Sequence, residues 1–158
     1  MGKLFKISGS FEKKGKWSEP VPAFVGEILM QDDHLFIGYC DELHNGKKKP
    51  DDTIRYLVGS FIDRRDDNKG IEFYKMSNDP AFAPILYTVK NLTNEETGIW
   101  GAYFDENGSF CFYPHGQAKV TVEEQPCNKR AAERVKARFE ELKKDLYWNN
   151  ELITAVLA

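Results

Sequence analysis

The chain has 158 residues and a mass of 18.2 kDa, one ordinary domain that hides about 68–70% of its unfolded surface on folding. Hydrophobic residues make up 41%, aromatics 13% and charged residues 30%, which excludes a disordered chain, a collagen-like repeat and a disulfide scaffold. A net charge of −3 and a pI near 5.7 supply no overall positive field, so neither nucleic acid nor membrane is expected as a partner.

Met1 to Ser8 holds no apolar run of signal-peptide length, and no segment approaches the roughly 18 apolar residues that cross a bilayer. Cys40, Cys111 and Cys127 are odd in number and lack CxxC spacing. The expectation is three reduced thiols in a soluble cytoplasmic protein, with no metal and no cofactor.

Strand patterns begin at once. Phe5, Ile7, Gly9 and Phe11 share one face and Lys6, Ser8 and Ser10 the other, a period of two. Phe24, Gly26, Ile28 and Met30 alternate in the same way. After the Gln31-Asp32-Asp33 turn, Leu35, Ile37 and Tyr39 alternate with Phe36 and Gly38, giving a hairpin. Leu43 to Asp52 reads as a polar loop around Asn45-Gly46 and Pro50. Further strands are expected over 54–62, 71–76, 85–89, 98–104, 109–113 and 118–122, with His115-Gly116 as the turn before the last. About nine short strands with turn signals between neighbours predict an antiparallel sandwich or barrel. Gly9, Gly26, Gly38, Gly59 and Gly101 lie inside strands, and the bulges and corners of a closing barrel supply a reason. A mainly β chain folded as an antiparallel up-and-down barrel is therefore expected over residues 1–126.

Composition changes near Pro126. All seven prolines and twelve glycines lie at or before it, as do 18 of 21 aromatics. Residues 127–158 are expected to form a C-terminal amphipathic helix packed on the barrel, within the same domain. Asn128 is the predicted N-cap, and Ala131, Val135, Phe139, Leu142 and Leu146 make a stripe at spacings of three and four. The stripe lies against the outside of the barrel or across one mouth. Arg130, Arg134 and Arg138 make a basic stripe, and residues 128–158 carry seven basic and five acidic side chains, a net of +2 against −5 for the rest. That asymmetry suits docking of the helix on its own acidic barrel. Trp148, Leu152, Ile153, Val156 and Leu157 then either extend this packing or serve a second chain, a homo-oligomer through the C-terminal segment.

The runs Tyr56-Leu57-Val58-Gly59-Ser60-Phe61, Gly70-Ile71-Glu72-Phe73-Tyr74-Lys75, Gly98-Ile99-Trp100-Gly101 and Gly108-Ser109-Phe110 resemble the strand grammar of calycin-type barrels. That group includes lipocalins, fatty-acid-binding proteins and avidin-like barrels. The resemblance implies a barrel with an interior able to hold a ligand. It departs at the lipocalin Gly-x-Trp of the first strand: Gly15-Lys16-Trp17 is followed by Ser18-Glu19-Pro20, and Gly98-Ile99-Trp100 stands too late.

Chemistry is sparse. His34 and Cys40 are six residues apart, about 20 Å along a strand and too far to share a metal. His44 with Asp41 and Glu42 reads as a solvated turn, and His115 as a turn histidine rather than a proton-transfer group or haem ligand. Asp32, Asp33, Asp66 and Asp67 are turn formers. No nucleophile elbow, phosphate-cradling loop or HExxH is present, and no catalytic residue is assigned. Lys47-Lys48-Lys49 is too brief for a nucleic-acid site. Lys75 is the exception: with Ile71 and Phe73 facing inward, period two carries it inward too, where it needs a carboxylate or an anionic ligand head group. Alternatively, Glu72, Tyr74 and Met76 form the inner face, or Lys75 stands at the rim. Two readings follow. One is binding of a small apolar or amphipathic ligand inside the barrel, with Tyr56, Phe73, Lys75, Trp100, Tyr103 and Phe112 as lining residues. The other is an interaction module or homodimer through the C-terminal helix, without catalysis.

Overall fold

A computed structural model describes residues 2–17, 23–30, 34–44, 47–48, 54–63, 69–77, 84–92, 97–106 and 109–143. Among the described residues, ten strands and one helix run in the order β1 (Lys3–Lys13), β2 (Lys16–Trp17), β3 (Phe24–Met30), β4 (Leu35–His44), β5 (Lys47–Lys48), β6 (Ile54–Asp63), β7 (Lys69–Met76), β8 (Ile85–Val89), β9 (Gly98–Glu106), β10 (Ser109–Gln125) and α1 (Lys129–Lys143). Eight of the strands form a closed antiparallel barrel, each paired with its neighbour in sequence and β10 returning to pair with β1. The short β2 and β5 are hairpin flaps on β1 and β4. Lys14 and Gly15, at φ of 53° and 80°, make the tight turn between β1 and β2.

Two expectations change in detail. The stretch read as a loop from Leu43 begins as strand, since β4 runs to His44 and Lys47–Lys48 pair back onto it. The two expected strands at 109–113 and 118–122 are one strand, β10. Pro114 and Gly116 mark a register shift inside it rather than a turn, so His115 sits at a bulge. Residues 147–158, expected to extend the packing or to serve a second chain, lie outside the described residues.

Period two sets the inside. Ile7, Phe24, Ile28, Phe36, Cys40, Leu57, Ile71, Phe73, Tyr87, Val89, Trp100 and Ala118 form one buried cluster within the barrel. Its rings touch in a chain: Phe5–Phe61 at 5.1 Å between centroids, Phe61–Phe36 at 5.2 Å, Phe36–Phe73 at 6.4 Å and Phe73–Tyr87 stacked at 5.0 Å. Such volume needs small partners across the sheet. A Cβ on Gly9 would lie 2.4 Å from the Phe24 ring, and one on Gly59 would lie 2.5 Å from Phe73 Cβ and 2.8 Å from Phe36 Cζ. At Gly9 the room goes to a ring; at Gly59 the nearest atom is the Glu72 carbonyl oxygen, so the neighbouring backbone needs the space as well as the rings.

The outer face of β3, β4 and β6 is also apolar, because α1 covers it. Asn128 caps the helix, its Oδ1 accepting from the Ala131 N–H at 2.9 Å. Ala131, Ala132 and Val135 pack on Leu4 and Leu29, and Phe139 meets the edge of Tyr56 at 5.7 Å. A polar clamp secures the start of this contact. Arg134 donates to both oxygens of Glu27 (Nε 3.2 Å, Nη2 2.7 Å), and Tyr39 OH donates to the same carboxylate at 2.5 Å. Arg138 stands 5.9 Å over the Tyr39 ring. Burial pushes the Glu27 pKa up, but the bonds from Arg134 and Tyr39 outweigh it and hold the carboxyl below its ordinary 4.5. Burial, together with the bond to Glu27, pushes the Tyr39 hydroxyl up to about 12.

Two outcomes follow. Gly9→Ala overpacks the interior by one methyl, and we expect a loss of about 1–3 kcal/mol, read as a Tm fall of about 3–10 °C in a thermal melt. Glu27→Gln weakens the clamp. Because the folded pKa of Glu27 lies below the unfolded one, its contribution is present above about pH 4.5 and fades as pH falls through the folded value. The stability gap between wild type and Glu27→Gln, measured by urea melts across pH, is therefore open at pH 7 and closes in acid.

Candidate site at one end of the barrel

The interior carries charge at one end only, among the described residues. Glu42 lies near the C-terminal end of β4, Arg55 near the N-terminal end of β6 and Lys75 near the C-terminal end of β7, ends that an antiparallel barrel brings to the same rim. Their registers place them inward. Arg55 pairs with Cys40, and Lys75 pairs with Leu57 on one side and Ile85 on the other. Glu42 pairs with Phe24.

Lys75 is only 4% exposed, and its Nζ sits 3.1 Å from Glu42 Oε1. The same oxygen lies 3.6 Å from Arg55 Nε. Two aromatic faces complete the ammonium's surroundings, Phe24 at 4.8 Å and Tyr87 at 5.5 Å from centroid to Nζ. Burial alone would lower the lysine pKa. The Tyr87 hydroxyl and the Glu42 carboxylate outweigh it, and Lys75 stays charged. Burial pushes the neighbouring Cys40 thiol up to about 12, which leaves it protonated and unreactive.

Exposure rises outward, from 4% at the Lys75 side chain to 15% at Arg55 and 17% at Glu42. Among the described residues, the opposite wall of this rim carries apolar side chains. Ile85 is the register partner of Lys75, Ala102 of Ile85, and Tyr113, 39% exposed, of Ala102. The mouth is thus amphipathic, charged on the β4–β6–β7 side and apolar on the β8–β9–β10 side. Below it the barrel is packed: Phe24, Phe73 and Leu57 are wholly buried and Tyr87 is 1% exposed, so none of them borders a void large enough for water.

The six predicted lining residues divide. Phe73, Lys75 and Trp100 face the interior, and the structure brings them together through Tyr87, which is register partner of both Phe73 and Trp100. Trp100 is fixed by its indole N–H, which donates to the Glu12 carbonyl at 2.8 Å, and by rings at 4.9 Å (Phe11) and 5.3 Å (His115). Tyr56 does not line the interior. It faces outward under α1, and its buried hydroxyl has no hydrogen-bond partner among the described residues. Phe112 is 36% exposed and is the register partner of Tyr103, one position out of step with the inward-facing Ala102. The Tyr103 side chain lies outside the described residues. Glu42, Arg55 and Tyr87 are the members that sequence reasoning missed. The inward period Phe36, Gly38, Cys40 already pointed to Glu42.

Among the described residues no three His, Cys, Asp or Glu side chains gather as a metal site, and no helix is long and apolar enough to cross a membrane. Cys40 and Cys127 are free thiols, and the Cys111 side chain lies outside the described residues. A cleft of about 480 Å³ opens on the outside of the barrel where Gln125 and Asn128 lead into α1, beside Arg130 and Arg134. Its polar groups face solvent or belong to the helix clamp. In comparisons with known proteins, no family model, no curated protein and no solved structure matches the chain.

Removing the Lys75 ammonium leaves a partly buried carboxylate with Arg55 as the neighbouring cation. We expect Lys75→Met to cost about 2–3 kcal/mol in urea denaturation, less than the full penalty for breaking a buried pair because Glu42 reaches solvent. Adding Glu42→Gln to Lys75→Met should recover much of that loss, a positive coupling in the double-mutant cycle.

Proposed function

We propose that this chain is a calycin-like binding protein that takes a small apolar or amphipathic molecule at the charged end of its barrel, without catalysis and in the cytoplasm. The observation that carries the reading is a charged lysine, 4% exposed, held between two aromatic faces inside a rim whose other wall is apolar. A buried charge is costly, and a packed apolar replacement is often as stable or more so. Perturbed ionisable groups in a concave site favour a binding role. The packed middle of the barrel favours a short ligand seated at the mouth, with its apolar part against Ile85, Ala102 and Tyr113. The free thiols of Cys40 and Cys127 suit a reducing compartment.

Native mass spectrometry of freshly purified protein, followed by calorimetric titration with octanoate, octanol and octylamine, tests the proposal. We expect one-to-one saturable binding of at least one probe, with Kd of about 0.1–1 mM for so few atoms. A spectrum of bare polypeptide together with no saturable heat from any of the three probes overturns it.

A further inference from the structure

β9 and β10 run further than the barrel does. β8 pairs with β9 as far as Ala102, and β1 pairs with β10 only from Ala118 onward. Past those points, Tyr103–Glu106 of β9 and Ser109–Phe112 of β10 pair with each other and, among the described residues, with no third strand. The barrel has no edge, but this ribbon has two. A two-stranded ribbon is marginal in water by itself, and a further strand is what makes such a unit stable.

The two edges differ in charge. The β9 side ends in Asp105 and Glu106, and charge is a common guard against strand addition. The β10 side lacks that guard: residues 107–118 are the longest run in the chain without Asp, Glu, Lys or Arg. The large apolar side chains that stand exposed among the described residues, Ile99, Phe112 and Tyr113, all belong to these two strands, and Phe112 lies on the ribbon itself. Pro114 and the register shift after it bound the open edge at its barrel end.

We propose that the β10 edge over residues 109–112 is a docking edge for the same edge of a second copy of this chain. Antiparallel pairing about a two-fold axis joins the two ribbons into one four-stranded sheet in the order β9–β10–β10–β9, and the main-chain groups of one edge meet those of the other. Charge decides for a copy over an unrelated chain. A strand laid beside Phe112 must itself be poor in charge, because its ionised groups would lose water without gaining a counterion. The same run on a second copy meets that condition. Asp105 and Glu106 then stand at both outer margins of the joined sheet, where they keep further strands from adding. The association therefore closes at two and does not grow into a fibre. Four residues a side make a small contact, so the dimer is weak, with a Kd of about 10–100 μM.

Sedimentation equilibrium of the full chain from about 1 to 500 μM should show a reversible rise from 18.2 kDa toward twice that mass. Phe112→Lys sets a charge on each edge and should weaken the dimer by about tenfold or more. Ile99→Lys adds the same charge off the ribbon and should change the Kd by less than about twofold. Circular dichroism checks the fold of both variants. Amide exchange followed by NMR on wild type alone guards against a misfolded variant: amides within 109–112 should exchange at least about threefold more slowly at about 500 μM than at about 10 μM, while those of 103–106 should not change. A chain that stays at 18.2 kDa throughout, a dimer that folded Phe112→Lys leaves intact, or a dimer whose 109–112 amides gain no protection overturns the proposal. A mass that climbs past two chains overturns the closed four-stranded arrangement.

Discussion

Closure of the sheet is the constraint on which the rest of this molecule depends. β1 is held by β3 on one side and by β10 on the other, the latter through eight paired positions from Leu4–Gln125 to Phe11–Ala118. A closed sheet has an interior of set volume and no barrel edge at which to add or shed a strand. Alternation then sends every second residue into that volume, whatever its size or charge. Phe5, Phe24, Phe36, Phe61, Phe73, Tyr87 and Trp100 all go inside, and they fit because Gly9, Gly59 and Ala118 stand across from bulky neighbours. The same rule imprisons Lys75. Two residues beyond Phe73, it has no way to face water without turning Phe73 and Ile71 outward as well.

The helix depends on this closure from the other side. A barrel presents a curved outer wall, and the wall over β3, β4 and β6 is apolar enough to need a cover. Ala131 and Ala132 let α1 approach closely, Val135 and Phe139 fill the contact, and the Glu27–Arg134–Tyr39 cluster gives it direction. The basic stripe expected to dock on an acidic barrel does so at Arg134, with Arg138 against Tyr39. That docking carries a consequence for Tyr56, whose ring is buried well and whose hydroxyl is buried badly. Its outward position follows from the alternation that puts Leu57 inside.

Much of the architecture could be read directly from residue patterns, and the gaps have physical causes. β1 and β3 show clean alternation, and the N-cap, stripe and start of α1 are all local signals. β7 is harder, because both of its faces are buried: Ile71, Phe73 and Lys75 inside, Tyr74 and Met76 outside. With Tyr74 and Met76 buried as well, alternation fades, so the strand itself left two faces open for Lys75. β10 is hidden for another reason. Proline and glycine normally punctuate, but at a bulge they continue a strand, and Pro114 and Gly116 do so here. Glu42 and Arg55 flank a loop-like stretch in the chain, where charge is read as solvation. Only the fold reveals that their strand ends converge on Lys75.

The packed interior moves the question of ligand binding from the middle of the barrel to its rim. A hollow barrel holds a ligand by surrounding it; a filled one can hold only what its mouth accommodates. Here the filling stops where charge begins, at the row of Lys75, Ile85, Ala102 and Tyr113. The rings beneath serve as a floor that keeps the lysine from sinking, and the aromatic faces beside it lower the cost of its burial. An ammonium so placed binds an anion wherever one is offered, and the fold offers Glu42.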